Sequence, residues 1–146
     1  MKTISSLLKS RGVVWTVAPD TTVLEALHVL AERNIGVVPV VSDGELVGIF
    51  SERDYARRVI LQGLTSKDTQ IAQVMTENVE TVGPDDNIED CMKIVVSKGF
   101  RHLPIVEDGE LIGVVSANDL LAEVIRSREM QMANLENLLS GAGEIT

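Results

Sequence analysis

A mixed α/β (α+β) fold of two tandem repeats, each a three-stranded sheet packed by two helices, follows from three observations. Thr16–Asp54 aligns with Thr81–Asp119 without a gap over 39 positions, and 13 of them are identical. Each copy carries a stretch of helical periodicity followed by two apolar runs joined through Asp-Gly. Hydrophobic residues make up 45% of the chain but aromatics only 3%, so the core rests on Val, Leu and Ile, a β-branched mixture suited to buried strands. Two copies, each too small to fold well alone, are expected to pack face to face about a pseudo-twofold axis.

The elements are read in order. A short helical segment precedes each copy, Ile4–Lys9 and Ile71–Met75, and leads to a strand, Val14–Val17 and Val79–Val82. Thr22-Val23-Leu24-Glu25 is a capping-box sequence, and Val23, Ala26, Leu27 and Leu30 recur at i, i+3, i+4 and i+7. Ile88, Cys91, Met92 and Val95 repeat the stripe behind Asn87, and the helices stop at Asn34 and at Lys98-Gly99. A hairpin follows in each copy, turning at Asp43-Gly44 and Asp108-Gly109, where Asp-Gly supplies the positive φ of a tight turn. Pro39 and Pro104 lie in the first hairpin strand and cannot donate to a ladder, so that strand is expected to keep an open edge facing solvent or a ligand.

The organisation expected is repeat 1 over 1–62, a polar linker over 63–69, repeat 2 over 70–128, and a helical extension and tail over 129–146, disordered from Ser140. Leu121, Val124, Ile125, Met132, Leu135, Leu138 and Leu139 make an apolar stripe with nothing left in the repeat to pack on, which points to a homodimer.

Composition removes several classes. A net charge of −9 argues against a nucleic-acid surface, which needs a basic face. Cys91 is the sole cysteine, so there is no disulfide framework and no cysteine-based zinc site. The first residues hold too short an apolar run for a secretion signal, and no segment approaches a membrane span, so a cytoplasmic protein without membrane contact is expected. The two histidines, His28 and His102, have no partner at metal-ligand or triad spacing, and no Walker loop or dinucleotide glycine fingerprint is present. No enzyme is expected.

Both copies end alike, in Gly48-Ile49-Phe50-Ser51-Glu52-Arg53-Asp54 and Gly113-Val114-Val115-Ser116-Ala117-Asn118-Asp119. A strand running into a helix capped by Ser, with Asp at the third position, aims free N–H groups and a positive dipole end at whatever lies in front, which favours an anion. Arg53, Arg57 and Arg58 follow Ser51, where the second copy has Asn118, Ala122 and Glu123, so positive charge gathers beside one copy only.

The repeated order, the Asp-Gly hairpin and the Gly-apolar-apolar-Ser-x-x-Asp ending resemble the CBS domain, and two in tandem resemble a CBS pair, or Bateman module. The resemblance covers roughly residues 4 to 126. It implies a non-catalytic regulatory module that binds AMP, ADP, ATP or NAD(H) in clefts between the repeats, and relays energy or redox state to an effector protein. It implies no catalytic cofactor. Carried over by position, Ser51 and Asp54 serve phosphate and ribose in a first cleft, with Gly36, Val37, Thr76, Glu77 and Asn78; Arg53, Arg57 and Arg58, read from this chain's own charge pattern and not from the resemblance, are expected to favour a di- or triphosphate or a dinucleotide there. Ser116 and Asp119 serve a second cleft with Arg11, Gly12, Val13, Arg101 and His102. Gly36 and Val37 depart from the basic residues that the resemblance leads one to expect there. The alternatives are a structural dimerisation module with no nucleotide, or an S-adenosylmethionine sensor.

Overall fold

The computed structural model describes residues 2–8 and 14–145, with side chains through Ser140. In chain order it contains α1 (Ser5–Leu8), α2 (Val23–Arg33), β1 (Val37–Ser42), β2 (Glu45–Ser51), α3, α4 (Ile88–Lys98), β3 (His102–Glu107), β4 (Glu110–Ser116) and α5 (Ala117–Ile145). Helix α3 is a single α-turn, Glu52–Asp54, that widens to π pitch over Tyr55–Ile60. There the Leu61 N–H donates to Ala56 O at 3.1 Å, a five-residue step, whereas the equivalent stretch of α5 is a regular α-helix.

The two antiparallel hairpins, β1–β2 and β3–β4, have matching registers, with Pro39 opposite Ile49 and Pro104 opposite Val114. Asp43 and Gly44 have φ of 50° and 80°, and Asp108 and Gly109 of 52° and 80°, so both turns take the two consecutive positive φ values that Asp-Gly allows. Both ladders shift register at the same place, after Val40 and after Ile105.

The third strand of each sheet is shorter than the sequence suggests. It is one parallel bridge, Val17 to Val40 and Val82 to Ile105. The prolines explain this. The Val17 N–H donates to Pro39 O at 3.0 Å and Val17 O accepts from Val41 N–H at 2.9 Å, and Val82 repeats the pattern with Pro104 and Val106. Extending the ladder toward Trp15 or Glu80 requires an N–H at residue 39 or 104, which proline lacks. The chain therefore leaves the sheet edge there, and the gap opens beside the strand.

Each repeat buries its own core. Val23, Ala26 and Leu30 of α2 pack on Val38, Val40 and Phe50, and Ile88, Cys91 and Val95 of α4 pack on Leu103, Ile105 and Val115. The lead-in segments are exchanged between repeats. Ile4, wholly buried, joins the second core together with Leu7 and Leu8, while Ile71, Val74 and Met75 join the first. Backbone bonds fix the exchange: Ile4 N–H to Asp86 O at 2.9 Å, and Ile71 N–H to Thr21 O at 2.8 Å. Lys2 Nζ adds an ion pair 2.6 Å from the buried Glu123 carboxylate, although the two are not aligned as a hydrogen bond.

The exchange gives a reason for the signature glycines. A Cβ on Gly48 meets Met75 Sδ at 2.7 Å and Thr76 O at 2.8 Å, and a Cβ on Gly113 meets Leu8 Cδ2 at 2.7 Å. Each glycine sits where the exchanged segment crosses the second hairpin strand. β2 and β4 are in contact across the two repeats.

The first lead-in helix is Ser5–Leu8 among the described residues, with Lys9 of the expected segment outside them, and the second lead-in is a 3-10 turn, Ile71–Gln73, shorter than expected. At the far end, the backbone of α5 stays helical through Ile145, past Ser140 where a disordered tail is expected. Beyond Ser127 the described side chains of α5 are all exposed.

Candidate functional site

The first cleft begins where β2 runs into α3. Ser51 is extended (φ −124°, ψ 165°) and its Oγ accepts from Asp54 N–H at 3.1 Å, while Asp54 Oδ2 accepts from the Ser51 N–H at 3.0 Å and from its hydroxyl at 3.1 Å. This is a complete capping box with aspartate in the acidic position. The other carboxylate oxygen, Oδ1, accepts from Thr76 Oγ1 at 3.2 Å. Thr76 is delivered there by an antiparallel bridge to Ile49, with both backbone bonds at 2.9 Å.

In front of this pair lies a cavity of about 500 Å³, a size suited to a nucleotide. Gly36, Val37 and Thr76 line it, as expected, and so do Arg53, Arg57 and Arg58. Glu77 and Asn78 line neither this cavity nor its twin. The second repeat contributes Lys98, Arg101 and His102 across the interface. Five cationic side chains thus face two carboxylates, Glu52 and Asp54, in a chain whose net charge is −9. The cations are not equivalent. Arg58 Nη1 donates to Met75 O at 2.9 Å and its Nε lies 3.7 Å from Asp54, so it clamps the exchanged segment to the helix. Lys98 pairs with Glu80 at 2.9 Å. Arg53, Arg57 and Arg101 are the three whose side chains have no such engagement among the described residues, and they are the groups placed to meet an anion.

The second cleft repeats the capping geometry. Asp119 N–H donates to Ser116 Oγ at 3.0 Å, and Ser116 N–H to Asp119 Oδ2 at 3.1 Å. Its cavity, about 510 Å³, is bounded by Ser116, Asp119, His102, Ile112 and Trp15, and by Gly36, Val37 and Pro39 of the first repeat. Arg101 does not line it. Sequence alone pairs Arg101 with His102 at this cleft, but Arg101 lines only the first cleft, whereas His102 lines both. Arg11, Gly12 and Val13 lie outside the described residues. Burial holds the His102 imidazole below its ordinary pKa, an effect opposed by the Asp119 carboxylate and reinforced by Arg101, so the ring favours its neutral form.

Two residues escape the sequence reading. Trp15, 42% exposed, forms a wall of the second cleft, with the Arg33 guanidinium 3.5 Å from its ring centroid. Its signal is a single tryptophan on the strand that Pro39 forces off the sheet. Lys98 reaches the first cleft from the last turn of α4, and nothing in its local sequence marks it. Cys91 takes no part in either cavity; burial first, then Asp86 and Asp90, push its thiol up to about 11, so it stays a protonated core residue. No group of three or more His, Cys, Asp or Glu side chains able to hold a metal occurs among the described residues, nor a helix long and apolar enough to cross a membrane.

Comparison with known proteins places this architecture. The CBS domain model matches twice, over residues 5–61 and 71–126. The chain is 33% identical over 150 residues to the CBS domain-containing protein CBSX3, mitochondrial, of Arabidopsis thaliana, covering 95% of this chain and 72% of that one. The structure of a CBS-domain protein from Burkholderia ambifaria superimposes with a TM-score of 0.81 at 36% identity, over 86% of this chain and 95% of the other. CBSX2 of Arabidopsis thaliana, solved in complex with AMP, gives a TM-score of 0.73 at 29% identity, over 88% of this chain and 99% of that one. The family model falls once on each repeat, and the chain belongs to the CBS-domain family as a tandem pair.

Proposed function

We propose that this protein is a non-catalytic regulatory module that binds adenosine nucleotides in the clefts between its two repeats. The observation that carries the reading is the Ser51–Asp54 pair, braced by Thr76 at the mouth of a cavity with Arg53, Arg57 and Arg101. A carboxylate held by its neighbours can accept from both ribose hydroxyls, and the helix start with its nearby guanidinium groups suits phosphate. The AMP complex of CBSX2 supports the ligand class. Ser51, Asp54, Thr76, Gly36 and Val37 are the contacts proposed for the first cleft, and Ser116, Asp119 and His102 for the second. Ligand bracing the repeats shifts how the module meets an effector protein, provided the ligand prefers one of two states.

The exposed stripe of α5 supports a homodimer. Leu121, Ile125, Arg128, Met132, Leu135 and Leu139 follow at alternating steps of four and three, the spacing of a helix–helix seam, and the apolar members are all at least 44% exposed. A dimerisation module with empty clefts is the second reading, favoured by that stripe. The test is a melting screen with millimolar AMP, ADP, ATP, NADH and S-adenosylmethionine on wild type, Asp54→Ala and Asp119→Ala. Stabilisation that disappears in one variant assigns the ligand to its cleft. No shift with any of these ligands leaves the dimerisation reading standing.

A further inference from the structure

We infer that two copies of this chain pair through α5 in antiparallel fashion, centred on Met130, and that the end of the second copy's helix covers the groove between α4 and α5. This rests on the homodimer reading above and adds its direction and register.

The stripe on α5 reads the same from either end. Leu121, Ile125, Arg128, Met132, Leu135 and Leu139 are separated by steps of four, three, four, three and four, so the pattern mirrors about Met130. A twofold pair must match one patch with itself. Antiparallel helices centred on Met130 set Leu121 against Leu139, Ile125 against Leu135 and Arg128 against Met132 of the second copy. Sliding that pair by seven residues either way leaves two of the six in each chain with no stripe residue opposite.

Charge selects the direction. A parallel pair also matches the stripe, but with each residue against its own copy, which stacks Arg128 on Arg128 inside the seam. The antiparallel pair sets Arg128 beside a methionine instead. It also lays the half before Met130, where Arg126 and Arg128 outnumber the exposed Glu129, against residues 131–140, where Glu136 is the one charged side chain.

The groove is continuous with the stripe, since Arg128 belongs to both. It holds about 460 Å³, and Met92, Val96 and Val124 are among the residues lining it. Val96 is 74% exposed, and Val124 is only half-buried where its counterpart in the first repeat, Val59, is wholly buried. In the antiparallel pair, residues 132–136 of the second copy run level with 124–128, so its Leu135 and, a turn further, its Leu138 lie along the groove. In a parallel pair Leu138 sits about 21 Å along the helix from Val124, and the groove stays bare.

The experiment is oxidative cross-linking of the full chain in a Cys91→Ala background, alanine being the residue at the matching position of the first repeat, with Leu121→Cys, Leu139→Cys and the two together. Each variant is checked for a folded melting transition and for mass by light scattering. Chains carrying both cysteines are expected to link into a covalent dimer that reductant reverses, because the facing residues lie within disulfide reach. Either cysteine alone gives no link, since same-numbered residues are about 27 Å apart, and the two cysteines of one chain are equally far apart along the helix. Ile125→Cys with Leu135→Cys, a second facing pair, is expected to link likewise. Val96→Glu, outside the stripe and exposed in the single chain, is expected to weaken self-association about tenfold. A dimer that links through a single cysteine, one that links through neither pair, or one that Val96→Glu leaves unaltered overturns the antiparallel pair and keeps the homodimer reading. A single-chain mass for wild type defeats the homodimer reading itself.

Discussion

The Thr76 hydroxyl donates to Asp54 Oδ1 at 3.2 Å, joining the segment that enters the second repeat to the helix that closes the first. The same carboxylate caps α3 through its other oxygen, so Asp54 serves the fold and the cleft at once. Removing it, as Asp54→Ala, is expected to cost about 1–2 kcal/mol by denaturant unfolding, through loss of the cap and of buried hydrogen bonds. Thr76→Val keeps the cap, so its unfolding midpoint stays nearer wild type while AMP stabilisation at the first cleft falls. Equal effects of both variants on stability speak against this division.

The signature glycines differ in what they can tolerate. Gly48→Ala forces a methyl against the Thr76 carbonyl as well as Met75, and backbone cannot step aside. A loss of about 1–3 kcal/mol is expected. Gly113→Ala meets the end of Leu8 and, at 3.4 Å, Ile105 Cδ1, both side-chain atoms able to rotate, so its cost is the smaller. Comparison of the two unfolding midpoints decides the point.

His102 couples stability to pH. Burial favours its neutral form, so its folded pKa lies below the ordinary value of 6.5. Between those two values the unfolded chain binds more protons than the folded one, and stability therefore rises with pH. His102 imposes no penalty above the ordinary value, and the penalty grows as pH falls through it, levelling off once pH is below the folded value. Melting curves from pH 5 to 8 on wild type and His102→Asn separate this slope from that of the carboxylates: the variant loses it only in the histidine window.

The seam proposed on α5 carries a prediction about the assembly state. Met132→Glu with Leu135→Glu places two charges in an apolar contact but disturbs no packed side chain, since both residues are more than half exposed in the single chain. The mass by light scattering is expected to fall from two chains to one, with secondary structure of the repeats unchanged. An unaltered mass removes α5 from the interface.

Local rules carried much of this fold. The stripes of α2 and α4, the Asp-Gly turns and the Ser-Asp caps each depend on a few neighbouring residues whose periodicity or positive φ is visible in the chain, and the gapless repeat fixed their order. Pro39 announced an open sheet edge, although not that the strand beside it shrinks to a single bridge at Val17. That needs the register, which decides which carbonyl lacks its donor.

The cleft walls were less legible because they are made of distant pieces. Ser51 and Asp54 could be named from their spacing, but Lys98 enters from the other repeat. Arg101 likewise reaches the first cleft across the boundary between the repeats. Gly48 and Gly113 stand in the sequence as bare identities; only the exchanged segments of Met75 and Leu8 crossing above them explain why no side chain fits. The sequence by itself determined two capped Ser-Asp helices and their unequal arginines, since these depend on residues near one another in the chain. The tertiary structure decided that the two clefts share Gly36, Val37 and His102, because that boundary exists only where one repeat meets the other.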